Sequence, residues 1–281
     1  MPVIFSGKLK VERLTVAIAN LPASLDGIKL IHLTDLHYDG LRLSDKLLGQ
    51  AIALSNQENP DLVLLTGDYI TDDPTPVNEL VRHLKHLESR CGIYASLGNH
   101  DIYWANAKTE VTNALTRIGI EVLWNAIAYP LGPDLPIVGL ADYWSKAFKP
   151  ESVMNSLNPN TPRIVLSHNP DTAEILQQWR VDLQLAGHTH GGQVVIPGYG
   201  SAALLFRSLQ NYLPKPIQRW IPWMQESARI MKHWEWALGY HSVGNNRMYV
   251  NRGLGTYPPG RLFCPPELTV ITLTTDNRNS G

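Results

Sequence analysis

The chain has 281 residues, enough for one large domain or two ordinary ones with a substantial core. A formal net charge of −1 provides no long-range field to gather a nucleic-acid polymer. Cys91 and Cys264 stand far apart with no CxxC pair, which argues against a disulfide framework and a thiolate zinc site.

The opening MPVIFSGKLKVERLTV has no charged segment followed by an apolar one and no twin arginines. No uninterrupted apolar run is long enough to span a bilayer, so the expectation is a cytoplasmic protein. In chain order the strand candidates are IKLIHL, DLVLLTG, GIYASLG, LPIVGLAD, RIVLSH, VDLQLAG, RMYVNRG and LTVITL. Helical patterns fill the gaps. SDKLLGQAIALSNQ has Ser44 as its N-cap and Leu47, Leu48, Ala51 and Ile52 on its apolar face. TPVNELVRHLKHLES has Thr75 as N-cap, Pro76 at the first helical position and Val77, Leu80, Val81 and Leu84 on one face. DTAEILQQW is a shorter third helix. The alternation predicts a layered α/β architecture.

Residues 201–237 break this rhythm. They carry Trp220, Trp223, Trp234 and Trp236, four of the chain's eight tryptophans. Arg207, Lys215, Arg219, Arg229 and Lys232 outnumber Glu226 and Glu235. Leu205, Leu209, Tyr212 and Leu213 fit one helical face; Trp223, Ile230, Met231 and Trp234 fit another. Two readings stand: a cap that meets a lipid surface, and a helical pair whose apolar faces pack on the core.

The chemistry gathers where strands run out. IHLTDLH offers Asp35 and His37, LLTGDY offers Asp68, and SLGNHD offers Asn99, His100 and Asp101. VLSHNP offers His168, and LAGHTH offers His188 and His190. In open α/β sheets, ligands collect beyond the carboxyl ends of the strands. Carboxylate, amide oxygen and imidazole without thiolate suit Mn, Fe or Zn. Seven ligands exceed what one catalytic metal takes and suit two, with a shared carboxylate between them. Two divalent ions facing only Asp35 and Asp68 keep positive charge in hand, which a phosphate ester needs.

DLH, GDY, GNHD, SHNP and GHTH, in this order from about Ile28 to His190, resemble the calcineurin-like metallophosphoesterases. The later YVNRGLGTYPPGRLFCPPELTVITL is similar to the C-terminal end of the bacterial branch with the YkuE- and YaeI-type phosphodiesterases. The resemblance implies a four-layer α/β/β/α sandwich of two mixed sheets flanked by helices. It implies one domain over 1–281, with 201–237 as an insertion or cap. It also implies two divalent or mixed-valence ions of Mn, Fe or Zn. Asp35, His37 and His190 would hold one ion, Asn99, His168 and His188 the other, and Asp68 would bridge. A metal-bridging hydroxide would attack phosphorus in line. His100 would contact the phosphoryl oxygens or protonate the leaving group, and Asp101 would orient His100. The implied substrate is a phosphodiester, a lipid-linked ester being one form of it, with no protein partner expected; peripheral membrane contact through 201–237 belongs to the lipid-surface reading of that segment.

Two alternatives accompany this reading. One is a pyrophosphatase acting on a UDP-diacylglucosamine-type lipid precursor. The other is a scaffold that lost its chemistry, which would lack ligands that are all present here. His32, on the opposite strand parity to Asp35, is expected to face another layer; His83 and His86 are expected in solvent. Asp142 stands at a strand end, with a turn role or reach into the site as alternatives. Arg252 in NRGLG either approaches a phosphate or holds its loop.

Overall fold

The computed structural model describes residues 6–205, 230–258 and 260–276. Its strands are β1 (Lys10–Ile18), β2 (Lys29–Leu33), β3 (Leu62–Leu65), β4 (Ile93–Ala95), β5 (Ile120–Val122), β6 (Ala126–Ala128) and β7 (Ile137–Gly139). They continue as β8 (Ile164–Leu166), β9 (Leu183–Ala186), β10 (Val195–Ile196), β11 (Gly200–Ser201), β12 (Gly239–Val243), β13 (Asn246–Val250) and β14 (Glu267–Thr275). The helices are α1 (Asp45–Gln57), α2 (Val77–Leu84), α3 (His100–Tyr103), α4 (Ala107–Arg117), α5 (Glu151–Met154) and α6 (Thr172–Leu176).

Two six-stranded mixed sheets form the centre. One has the order β1-β14-β2-β3-β4-β5, with β14 antiparallel to β2 and its other pairs parallel. The other has the order β12-β13-β9-β8-β7-β6, antiparallel at its two outer pairs and parallel within. Strand parity explains how they stack. Leu30, Leu62 and Leu64 of the first sheet meet Ile164, Leu166, Leu183 and Leu185 of the second in one apolar layer. The alternate residues Ile31, Leu33, Val63 and Leu65 turn outward onto Leu48, Ala51, Leu80 and Leu84 of α1 and α2. Val138 and Val165 do the same on the other side, against Val153, Met154 and Leu176 of α5 and α6. Strands buried on both faces read as continuous apolar runs, which is why β3, β8 and β9 were legible as short hydrophobic stretches. This is the expected α/β/β/α sandwich.

Local details depart from expectation at a few points. Ser44 caps α1 as predicted, accepting from Leu47 N at 3.3 Å. Thr75 does not cap α2: the N-cap position falls on Pro76, and the Thr75 hydroxyl donates instead to Asp73 Oδ1 at 2.7 Å. The Asp73 turn holds the Thr75 hydroxyl one residue ahead of the position from which it could accept as a cap. The middle of the tryptophan-rich stretch, with Trp220 and Trp223, lies outside the described residues. Its end is described: Met231 and Trp234 are buried, and Thr189 Oγ1 donates to Ala237 O at 2.6 Å. The Asp171 carboxylate accepts from Lys232 N and His233 N at 2.6 and 3.0 Å, tying this end to the start of α6. No described helix is long and apolar enough to cross a membrane.

Candidate metal centre

The parallel strands of both sheets end at one edge of the sandwich, and their loops converge there. Asp35 and His37 follow β2, Asp68 follows β3, Asn99 and His100 follow β4, His168 follows β8, and His188 and His190 follow β9. All are buried except His100, which is half-buried. Three groups bring ligand atoms within 4.8 Å of one another: Asp35 with His37 and His190; Asp68 with His168 and His188; and His37 with Asp68 and His100. Asp68 Oδ2 lies 3.4 Å from His37 Nε2 and 3.1 Å from His168 Nε2, so it stands between the first two groups. His190 Nε2 is 3.0 Å from His37 Nε2 and 3.4 Å from Asp35 Oδ1.

The backbone is bent to make this possible. Asp35, His37, Asp68, His188 and His190 all adopt positive φ, between 43° and 71°. That region is uncommon for non-glycine residues and is most accessible to Asn, Asp and His. Loop-to-loop hydrogen bonds hold the bends: His37 N donates to Asp68 O at 2.9 Å, and His188 N to both Asp35 oxygens at 3.0 Å. His100 N donates to Asp68 Oδ1 at 2.9 Å. Two glycines are needed for clearance. A Cβ on Gly187 would stand 2.1 Å from Asp35 Oδ2, and one on Gly98 would stand 2.2 Å from Asp68 Oδ1.

The imidazoles are oriented from behind. His168 Nδ1 faces Thr66 O at 2.7 Å and His190 Nδ1 faces Gly255 O at 3.1 Å. His188 is reversed, with Nε2 on Ile230 O at 3.0 Å. A carbonyl only accepts, so each of these nitrogens carries a proton, and in the neutral ring the other presents its lone pair inward. Burial pushes His37 down to about 3 and His188 to about 4, and holds His190 well below its usual range. Burial disfavours charge at His168 too, but Asp68, Asp35 and Asp142 outweigh it and raise that group to about 10. Burial, reinforced by Asp68, lifts Asp35 to about 6. Asp68 itself is held well below its usual value: burial opposes this, but His168 and His100 prevail. The Asn99 Oδ1 atom is buried without a hydrogen-bond partner. Inward-facing imidazoles, those of His37, His188 and His190 neutral, with two carboxylates and an orphaned amide oxygen suit a divalent cation, which would supply the missing partner and displace the proton on His168.

Several expectations need correction. Asp101 does not orient His100. Its carboxylate accepts from the backbone N–H groups of Asp68, Tyr69 and Gly98, each at 2.8 Å, and from Ile70 at 3.3 Å. The ring of His100 is held instead by Thr71 O, on which its Nδ1 bonds. Asp101 thus secures two ligand loops, where a single buried carboxylate can satisfy N–H groups from both. Arg252 does not face the centre: it pairs with Glu12 and Glu267, each at 2.7 Å. Asp142 takes its turn role, accepting from Trp144 N at 2.9 Å, and also lies near enough to His168 to act on its charge. His32 faces the layer between the sheets, bonded to Thr66 Oγ1 at 2.8 Å. His83 is only half-buried and His86 exposed. Residue-type reasoning missed Tyr257, whose hydroxyl is 3.1 Å from His37 Nδ1, and Arg261, which donates to Gly255 O at 2.6 Å. Both lie in the YVNRGLGTYPPGRLF stretch, but no spacing rule selects them.

A buried set of inward-facing imidazoles and carboxylates, at the strand ends of a two-sheet sandwich, is a site that could hold metal ions, as in a metal-dependent hydrolase. Residues 28–192 match the sequence profile of the calcineurin-like phosphoesterases, and the chain belongs to that family. It is therefore a hydrolase of phosphoester bonds. It is 31% identical to the phosphodiesterase YaeI of Escherichia coli K12, over 87% of this chain and 82% of that protein. It is 26% identical to the UDP-2,3-diacylglucosamine pyrophosphatase LpxG of Chlamydia trachomatis, over 94% of this chain and 88% of that protein. It is 29% identical to the uncharacterized metallophosphoesterase YkuE of Bacillus subtilis, over 94% and 85%.

Proposed function

We propose that the chain is a dinuclear phosphodiesterase. Asp35, His37 and His190 would hold one ion, Asn99, His168 and His188 would hold the second, and Asp68 would be shared between them. The observation that carries this reading is the position of Asp68 Oδ2, within 3.4 Å of an imidazole from each group. Two divalent ions, of Mn, Fe or Zn, would supply a more acidic water and neutralise charge on the phosphoryl group. The chain's own residues do the rest. The three carbonyls behind His168, His188 and His190 fix the outward proton of each ring, burial keeps the inward nitrogens of His188 and His190 bare, and His168 would give up its inward proton to an ion. Asp101 locks the loops of Asp68 and Asn99 together. His100, half-buried and within 4.9 Å of the His37 ring, is placed to contact phosphoryl oxygens or to give the departing oxygen a proton. We also read the chain as one domain with 201–237 inserted in it, supported by the apolar layer its two sheets share.

The diester preference follows the likeness to the Escherichia coli phosphodiesterase. A lipid-linked diphosphate is the second reading. The likeness to the chlamydial pyrophosphatase favours it, as does the half-exposed Trp144, whose ring lies edge-on to His188 at 4.9 Å beside the centre. The test compares bis-p-nitrophenyl phosphate with p-nitrophenyl phosphate on stripped protein reloaded with Mn²⁺, alongside Asp68→Asn. Metal-dependent diester cleavage that the variant loses supports the first reading. Cleavage of UDP-diacylglucosamine without diester turnover supports the second, and sedimentation with anionic vesicles would then report contact through 201–237. Monoester preference, or no turnover of any of these substrates, overturns both.

A further inference from the structure

Three of the four inward-facing histidines at this centre lean on backbone carbonyls. His37 is the exception. Its outward nitrogen meets a side chain, the hydroxyl of Tyr257, at 3.1 Å. The Tyr257 ring stands edge-on to His37 at 5.0 Å and to His190 at 5.3 Å, so it touches both imidazoles of one ligand group. The guanidinium carbon of Arg42 lies 4.4 Å from the centroid of the same ring. Arg42 is in turn fixed by Asp39, and its carbonyl accepts from Thr256 N at 3.0 Å. Gln193, which closes GHTHGGQ, accepts from Tyr257 N through its side-chain oxygen at 2.7 Å. Three loops, those after β2, β9 and β13, therefore meet on one aromatic ring.

We propose that Tyr257 is a positioning residue for His37. A cation shared with Asp35 and His190 draws on the lone pair of His37 Nε2, so the ring proton sits on Nδ1. The Tyr257 oxygen accepts that proton's hydrogen bond and fixes the ring plane. A hydroxyl does here what carbonyls do for the other three histidines. The cation–π contact with Arg42 holds the tyrosine ring from its other face, and Gln193 sets its backbone. This gives the final glutamine of GHTHGGQ a task, although it reaches no ligand atom itself. The loop after β13 thereby controls one ion and not the other: nothing links Tyr257 to His168, His188 or Asn99 among the described residues.

This inference rests on the two-ion reading, and its test separates the two. Mn²⁺ binding to stripped protein is followed by electron paramagnetic resonance for the wild type, Tyr257→Phe and Arg42→Met. Tyr257→Phe keeps the ring and the Arg42 contact and removes only the hydroxyl. The expected result is two ions per wild-type chain, and in Tyr257→Phe one site weakened about tenfold or more with the other unchanged. The melting temperature of the stripped variant should match the wild type, which a merely structural role would not predict. Arg42→Met, which keeps the hydroxyl but loosens the ring, should weaken the same site by less. Equal affinity at both sites in Tyr257→Phe overturns the inference and leaves the two-ion reading standing. So does equal weakening of both sites in either variant. Fewer than two ions on the wild type overturns the two-ion reading and the inference together.

Discussion

Asp35, His37, Asp68, His188 and His190 each hold a left-handed backbone, which costs on the order of 1–3 kcal/mol per residue. Such conformations persist only where surrounding contacts overdetermine them. Here the His188 N–H bonds to Asp35 and the His37 N–H bond to Asp68 O supply those contacts. The tolerance for error is small. In Gly187→Ala the new Cβ must displace Asp35 Oδ2 from a contact of 2.1 Å. A shift of about 1 Å in a ligand can cost about 100-fold in rate, so kcat/KM for a phosphodiester should fall by about that factor. A folded Gly187→Ala with wild-type turnover would contradict this account of the loop. His32 permits a test at the same scale without involving metal. It is buried between the sheets and burial pushes it down to about 3. Above pH 6.5 it is neutral in both folded and unfolded chains. Below pH 6.5 the unfolded chain takes a proton that the folded protein refuses, so its contribution to stability is lost as pH falls from 6.5 toward 3. Urea unfolding of the wild type and His32→Gln should therefore show their difference shrink by about 2 kcal/mol between pH 7 and pH 5. A pH-independent difference would show that His32 is not held neutral.

Between elements, a buried polar cluster ties the first sheet to the loop after β13. Glu267 accepts from Tyr249 OH and Thr269 Oγ1 at 2.6 Å and pairs with Arg252 Nε at 2.7 Å, while Arg252 also reaches Glu12 on β1. Glu267 is 2% exposed and Arg252 7%, so removing the Glu267 charge leaves buried Arg252 to rely on Glu12. Glu267→Gln should cost about 1–3 kcal/mol, read as a lower urea midpoint at unchanged slope. A loss below about 1 kcal/mol would mean that the pair is solvated. Legibility in the sequence also varied by element. The interior strands stood out because both their faces are buried. The outermost strand β1 did not, because Lys10, Glu12 and Arg13 interrupt its apolar pattern, as suits a sheet edge. Its nine residues find their partner only across the length of the chain, in β14. The helix α4 was equally hidden. It starts after left-handed Asn106 with no side-chain cap, so its first turn carries no capping pattern.

For the whole molecule, the proposed ions would join loops from two different sheets, and binding should therefore add to global stability. At a concentration one hundred times the dissociation constant, one site contributes about 2.7 kcal/mol. Chelation should lower the melting temperature, and Mn²⁺ should restore it in the wild type but not in Asp68→Asn. Loading should also release protons near neutral pH, because the surrounding carboxylates hold His168 protonated up to about 10 and a ligand nitrogen must be bare. Calorimetry in buffers of different ionisation enthalpy measures that release, and a value of zero at pH 7 would show that His168 is not held protonated in the metal-free protein.

By itself the sequence determined the layered class, the interior strands and the set of polar side chains at their ends. Those depend on local periodicity and on residue types whose chemistry is written in the side chain. It was enough to place the chain among the metallophosphoesterases through DLH, GDY, GNHD, SHNP and GHTH. Only the tertiary structure decided what stands behind those residues. Thr66 O, Gly255 O and Ile230 O orient three imidazoles, but a carbonyl belongs to every residue and leaves no trace in composition. Asp101 is adjacent to His100 in the chain yet serves the loops of Asp68 and Gly98, because four backbone N–H groups converge on its carboxylate after folding. Arg252 turned away from the centre because Glu12 and Glu267, distant from each other in sequence, arrive on either side of it. Tyr257 reached His37 for the same reason: contact between loops is set by how the sheets stack, which no single stretch of sequence encodes.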